Sequence, residues 1–177
     1  MIKTNELVKC FDDFKALDGI SINIKKGSVY GLVGPNGAGK TTLIKTMLGI
    51  YKQNKGEIEI DGIKDVNCED LKQRVIYISD DLYFYPSYTI KEMAKFYKSI
   101  YKNWDDETYE KLKAIFNIDE KRKVKKLSKG MQKQVAFWLG LCTKPDVMIL
   151  DEPVDGLDPV MRRNVWSLVL SDAQFVK

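Results

Sequence analysis

Residues 34–42 read Gly34-Pro35-Asn36-Gly37-Ala38-Gly39-Lys40-Thr41-Thr42 and satisfy G-x-x-x-x-G-K-[ST] at Gly34, Gly39, Lys40 and Thr41. Upstream lies the apolar run Val29-Tyr30-Gly31-Leu32-Val33. Downstream, Leu43, Ile44, Met47 and Leu48 recur at helical spacing. The pattern predicts a strand, a glycine loop and a helix, the setting in which a loop binds phosphate. Gly34, Gly37 and Gly39 allow the backbone to curl until successive N–H groups face inward on an anion. The N-terminus of the following helix adds its partial positive charge. Lys40 is then placed to reach the β- and γ-phosphates, and the Thr41 hydroxyl to bind Mg²⁺. Pro35, Asn36, Ala38 and Thr42 complete the candidate cradle. The competing reading is a glycine-rich turn without a ligand. The dinucleotide pattern G-x-G-x-x-G is absent, which disfavours a Rossmann cofactor site.

The chain has 177 residues, 44% of them hydrophobic, enough to bury a core and consistent with one domain. It has no N-terminal apolar leader, and no run reaches the ~18 apolar residues of a membrane span, so it reads as soluble. Cys10, Cys68 and Cys142 form no C-x-x-C pair and are odd in number, which suggests reduced thiols in a cytosolic compartment. There is no histidine, which excludes a histidine-based metal site or triad. The net charge of +4 does not by itself argue for nucleic acid.

Before the glycine loop, Leu7-Val8 and Ile20 to Ile24 alternate like half-buried strands, and Lys25-Lys26-Gly27 reads as a turn. Phe11 between them has two readings: core filler, or a ring that stacks on an adenine base. Phe14 is a weaker candidate for that stacking. Beyond the loop, Gly56 to Gly62 and Val75 to Ile78 read as strands, the second followed by Ser79-Asp80-Asp81. Thr89 and Glu92 have the spacing of a capping box. Ile90, Met93, Ala94, Phe96, Tyr97, Ile100 and Tyr101 then form a helical apolar face. A second helix starts near Asp105, its acids favouring the N-terminus. A helical block at about residues 85–140 therefore looks inserted into a strand-and-helix chain.

Lys121 to Lys126 is a dense basic run. It reads as a solvated loop, since no interleaved aromatics support a base-stacking surface, and no nucleic-acid partner is expected. Ser128 follows in Leu127-Ser128-Lys129-Gly130-Met131-Gln132. It is either a plain helix cap or, with Gly130 permitting close approach, part of an anion site at a helix N-terminus. Val147-Met148-Ile149-Leu150-Asp151-Glu152 is a buried-type strand ending in two carboxylates. At the carboxyl end of a parallel strand, Asp151 is a candidate to hold Mg²⁺ and Glu152 to deprotonate an attacking water.

In this order the motifs resemble the ATP-binding cassette of transporters, over essentially the whole chain. Gly34 to Thr42 looks like the Walker A motif, and Val147 to Glu152 like Walker B with its catalytic glutamate. Leu127 to Gln132 is similar to the signature Leu-Ser-Gly-Gly-Gln, with Lys129 and Met131 as departures. Asp155-Gly156-Leu157-Asp158 looks like the D-loop, which would bring Asp158 to the nucleotide. Phe11 falls where the adenine-stacking aromatic belongs. The resemblance implies an α/β P-loop fold with a RecA-like core, an N-terminal antiparallel β-subdomain and an inserted helical subdomain. It implies ATP and Mg²⁺ as ligands, with Thr41, Asp80 and Asp151 toward the metal and Glu152 and Asp80 as catalytic residues. The Q-loop glutamine should stand where this chain has Asp80, which accepts hydrogen bonds but, when ionised, donates none. The implied partners are a membrane permease and a second ATPase subunit. In such a pair, Ser128 and Gly130 of one copy face the γ-phosphate held by the other. The implied place is the cytoplasmic face of the cell membrane, in an exporter-type system. A soluble cassette ATPase of DNA repair or translation, and a fragment that binds nucleotide without turnover, are the alternatives. The family's switch histidine lies beyond the D-loop helix. A chain ending at Lys177 is therefore expected to lack a central strand, so that Val29 to Val33 and Val147 to Leu150 flank a gap with unpaired backbone groups and exposed apolar side chains.

Overall fold

The computed structural model describes residues 1–174, with side chains through 170. Met1–Lys72 and Gln73–Leu170 form two compact units, described here in turn.

The first unit is built on strands β1 (Ile2–Phe11), β2 (Phe14–Ile24) and β3 (Lys55–Ile60). They form an antiparallel sheet in the order β2-β1-β3. β1 and β2 form a hairpin in which Phe11 pairs with Phe14 and Asp12 takes a left-handed conformation (φ 49°) in the turn. Along β1 the buried positions are Ile2, Thr4 and then Leu7, so the inward face changes phase. Glu6 makes that change: it is left-handed (φ 47°), and the register with β2 slips between Thr4 and Leu7. Without that bulge, strict alternation would turn Leu7 toward water. Thr4 is buried without penalty, because its hydroxyl donates to the Ile20 carbonyl (2.9 Å) and accepts from the Ile22 N–H (3.0 Å). Helix α1 (Lys40–Met47) buries Leu43, Ile44, Thr46 and Met47. It stops where Gly49 (φ 70°) donates to the Thr46 carbonyl, an end that suits glycine.

The strand expected at 29–33 does not form. Among the described residues no strand pairs with this stretch, and Val29, Tyr30 and Val33 are 60%, 53% and 94% exposed. An apolar, β-prone run has the side chains of a strand. Without a neighbour to take its backbone N–H and C=O groups, it gains nothing from extending into one. The expected exposure of apolar side chains is found at this run but not at Val147 to Leu150, which are buried or half-buried.

Helix α2 (Glu69–Arg74) leads into the second unit, where β4 (Val75–Ile78) and β5 (Val147–Leu150) pair in parallel, Val75 with Val147 through Ile78 with Leu150. The pairing is clamped at its start by the Arg74–Asp146 ion pair (2.6 Å) and extended at its end by the Asp151 N–H on the Ile78 carbonyl (2.9 Å). Helices α3 (Ile90–Ile100), α4 (Asp106–Phe116) and α5 (Lys129–Cys142) fill the interval between the two strands, and α6 (Pro159–Gln174) follows them. The capping box read from Thr89 and Glu92 is present in full. The core gathers on α5, where Val135, Phe137, Trp138 and Leu139 are wholly buried and pack with Ile90, Tyr109, Phe116 and Val124. Burial pushes the Cys142 thiol up to about 12, and that thiol donates to the Trp138 carbonyl. It is an inert core group.

Asp105 caps α4, accepting from the Glu107 N–H (3.0 Å) and the Thr108 hydroxyl (2.7 Å), with Lys144 Nζ at 3.3 Å. The Thr108 hydrogen bond first, then Lys144 and the backbone donors, hold its carboxyl at about 2, below its ordinary 3.8. A carboxyl depressed on folding adds stability that is complete above its unfolded value and is lost as pH falls through the folded one. Asp105→Asn keeps a capping oxygen but no charge. The stability gap between wild type and this variant, read as urea midpoints, should therefore close as pH falls from about 5 to about 2.

Candidate nucleotide site

In the first unit the glycine loop runs directly into α1. Gly39 is the residue before that helix, left-handed (φ 88°), with no side chain to cap the first N–H groups. A methyl group there would lie 2.8 Å from the Ala16 carbonyl oxygen on β2, so backbone proximity as well as φ demands glycine. Gly37 is also left-handed (φ 82°), though open space surrounds it. Gly34 faces Ala38 closely: an added methyl would come within 3.3 Å of the alanine Cβ. Lys40 bends back over the loop, its ammonium donating to the carbonyls of Gly34 (2.7 Å) and Pro35 (3.0 Å). Its cation is thus held within the loop by two neutral acceptors, weaker partners for an ammonium than a charged oxygen would be. Pro35, Asn36, Gly37 and Ala38 are exposed, as is Thr41, while Thr42 is half-buried and accepts the Thr46 hydroxyl on its carbonyl (2.7 Å).

Phe11 ends β1 with its ring 38% exposed. Two side chains stand close to the ring. Tyr51 meets it edge-on at 5.2 Å, and the Lys9 ammonium stands 4.8 Å from its centroid. Phe14, across the hairpin, is 67% exposed.

In the second unit the parallel pairing delivers Asp80 and the Asp151-Glu152 pair to the same end, since both strands run in one direction. Asp151 is buried, and the Tyr77 hydroxyl donates to it at 3.4 Å. Glu152 is exposed and left-handed (φ 47°), a conformation rarely adopted by a non-glycine residue. Carboxylate oxygens of Asp80, Glu152 and Asp155 lie within 4.8 Å of one another. Such an oxygen set suits a hard divalent cation, although Asp80 already has an ammonium partner. Lys133 Nζ donates to Asp80 Oδ1 (3.1 Å) and to the Glu152 carbonyl (2.7 Å). Sequence reading singled out Asp80 and Glu152 but missed Lys133. Its one signal was a lysine placed just before the apolar run that begins at Val135.

Ser128 caps α5, accepting from the Met131 N–H at 3.3 Å, and its side chain is exposed. Both sequence readings of it remain open, because a capping serine at a helix start is also a serine aimed outward. Gly130 has a packing reason: an added methyl would meet the Gly156 carbonyl oxygen at 2.7 Å. The signature turn therefore lies against the Asp155–Asp158 turn. Asp158 is exposed and caps α6 through the N–H groups of Val160 and Met161 (3.0 Å each).

The family described as ABC transporter matches residues 17–155, which takes in the glycine loop, the signature turn and both strands that end in carboxylates. This chain belongs to the ABC transporter family. Its sequence is 34% identical over 172 residues to the ABC transporter ATP-binding protein YtrB of Bacillus subtilis (strain 168), covering 97% of this chain and 59% of that one. It is 37% identical over 179 residues to the bacitracin transport ATP-binding protein BcrA of Bacillus licheniformis, covering 95% of this chain and 57% of that one. A bacterial ABC transporter cassette solved as a dimer shares the fold, with a TM-score of 0.87 at 22% identity over 98% of this chain and 83% of that one. The fold is thus that of the P-loop ABC cassette. The chain spans somewhat more than half the length of these two curated relatives.

Proposed function

We propose that this ABC-family chain binds Mg-ATP and hydrolyses it as the nucleotide-binding subunit of a membrane transporter of the exporter type. The observation that carries the reading is the glycine loop. Gly39 is confined to a conformation that only glycine takes easily, and Lys40 is already folded onto the loop at the start of an uncapped helix. Backbone N–H groups at that helix start receive the phosphates. Lys40 exchanges its two carbonyl contacts for phosphate oxygens, and Phe11 offers its ring to the adenine. Magnesium, when bound, would neutralise phosphate charge, and the Thr41 hydroxyl next to Lys40 is a residue that would hold it. Glu152 takes the proton of the attacking water. Among the described residues no helix is long and apolar enough to cross a membrane. The names of the transporter ATP-binding relatives support a subunit that works at the cytoplasmic face with a membrane permease. Exposed Ser128 beside Gly130 fits a contact with the nucleotide of a second subunit, and the relative solved as a dimer supports that arrangement.

Lys40→Ala removes the cation from the phosphates. A hydrogen bond to a charged group contributes about 1.5–3 kcal/mol, so ATP affinity measured by calorimetry should fall by one to two decades. Equal affinity in the two proteins would refute nucleotide binding at this loop.

A further inference from the structure

Lys133 is a lysine taken out of water: its side chain is 5% exposed, while that of its partner Asp80 is 47% exposed. Charged lysines are seldom buried without a purpose for the charge. An ammonium has three donors and no acceptor, and two of those donors have destinations on different elements. One goes to the carboxylate that follows β4, the other to the backbone carbonyl that follows β5. Lys133 itself belongs to α5, whose first turn carries Gly130 against Gly156. The carbonyl it holds is that of Glu152, the residue forced into left-handed backbone. The same oxygen accepts the Asp155 N–H at 3.3 Å. Asp80, the carboxylate the ammonium holds, is one of three that crowd within 4.8 Å, with Glu152 and Asp155.

We propose that Lys133 is a positioning residue for hydrolysis. It fixes the Glu152 peptide in its left-handed conformation and holds Asp80 beside it, so that displacement of the signature end of α5 is felt at the carboxylate that activates water. The proposal rests on the reading of Glu152 as the base. Lys133 spends its two assigned donors on protein oxygens and not on phosphate. Its loss is therefore felt in turnover and not in nucleotide affinity, whereas a lysine that merely stabilised the fold would leave kcat of the folded protein unchanged.

The test compares wild type with Lys133→Met, Lys133→Gln and Lys133→Arg in three measurements: ATP affinity by calorimetry, kcat and KM for ATP hydrolysis, and hydrogen exchange of the Asp155 amide. In Lys133→Met, affinity and KM should stay within about twofold. The kcat should fall by about tenfold to a hundredfold, as a misplaced reacting group predicts. The Asp155 amide should exchange about fivefold faster or more, because the carbonyl it bonds is no longer pinned. Lys133→Arg, which keeps charge and donors, should recover most of the turnover, and Lys133→Gln should lie between. If Lys133→Met does not fold, the Lys133→Gln and Lys133→Arg pair decides by the same measurements. Wild-type kcat in the uncharged variants, or unaltered exchange at Asp155, overturns the proposal. A wild type that binds ATP without turning it over would instead overturn the hydrolytic reading, and the Asp155 exchange would still decide whether Lys133 holds the Glu152 peptide.

Discussion

Glu152→Gln should lower the ATP hydrolysis rate by about 10²–10⁴, the usual contribution of a positioned general base, while ATP affinity changes by less than about threefold. The substitution is nearly isosteric, and glutamine meets the same cost at φ 47° as glutamate does. The backbone carbonyl that accepts from Lys133 is untouched. What disappears is the ability to take a proton. The competitors for that role are close, since Asp80 and Asp155 place carboxylate oxygens within 4.8 Å of those of Glu152. Asp80 is the poorer candidate, because its Oδ1 is already occupied by a hydrogen bond from the Lys133 ammonium at 3.1 Å. Among the described residues no ion pair engages Asp155, so Asp155→Asn is the informative companion. Single-turnover rates for the two variants separate the roles. A near wild-type rate for Glu152→Gln together with a collapse in Asp155→Asn would transfer the base to Asp155.

Much of the fold and part of the site could be read in the sequence, and the division follows the range of the interactions. The capping box at Thr89 and Glu92, the left-handed Gly37 of the loop, and the alternation in β1–β3 are set by residues a few places apart. Local rules suffice for them. The run Val29 to Val33 failed because a strand is a relation between two segments. Its side chains can announce β-propensity, but only a pairing partner makes it a strand. Lys133 was missed for the same reason. Its partners Asp80 and Glu152 are 53 and 19 residues away, joined to it only because β4, β5 and α5 converge. Glu6 shows the intermediate case. Alternation in β1 predicts a strand, yet the bulge that brings Leu7 inward depends on how β1 registers with β2. The glycines divide likewise: Gly37 could be read from loop chemistry, whereas Gly130 is needed because Gly156 comes from another part of the chain.

The largest stability effect is expected at Trp138. This indole is fully buried on α5 and stacks on Tyr109 at 4.9 Å between centroids, with Phe116 at 6.4 Å. Its Nε1–H donates to the Tyr109 carbonyl at 2.9 Å, so its one polar group is satisfied. Trp138→Ala removes the stack, the hydrogen bond and the largest side chain of the core at once, leaving a cavity lined by aromatic rings. Aromatic-to-alanine changes of this kind cost about 3–5 kcal/mol. Against a typical total of about 5–15 kcal/mol, that is enough to unfold much of the protein on mild warming. Trp138→Phe keeps a ring against Tyr109 but no donor. It should lose about 1–2 kcal/mol, the sum of one hydrogen bond and a smaller void. Urea midpoints at neutral pH measure both losses, and their ratio tests the assignment. Near-equal losses would mean that the hydrogen bond to Tyr109, not packing, holds α4 to α5. A loss below about 1 kcal/mol in Trp138→Ala would mean that the site closes over the missing side chain and that α5 is not the centre of this core.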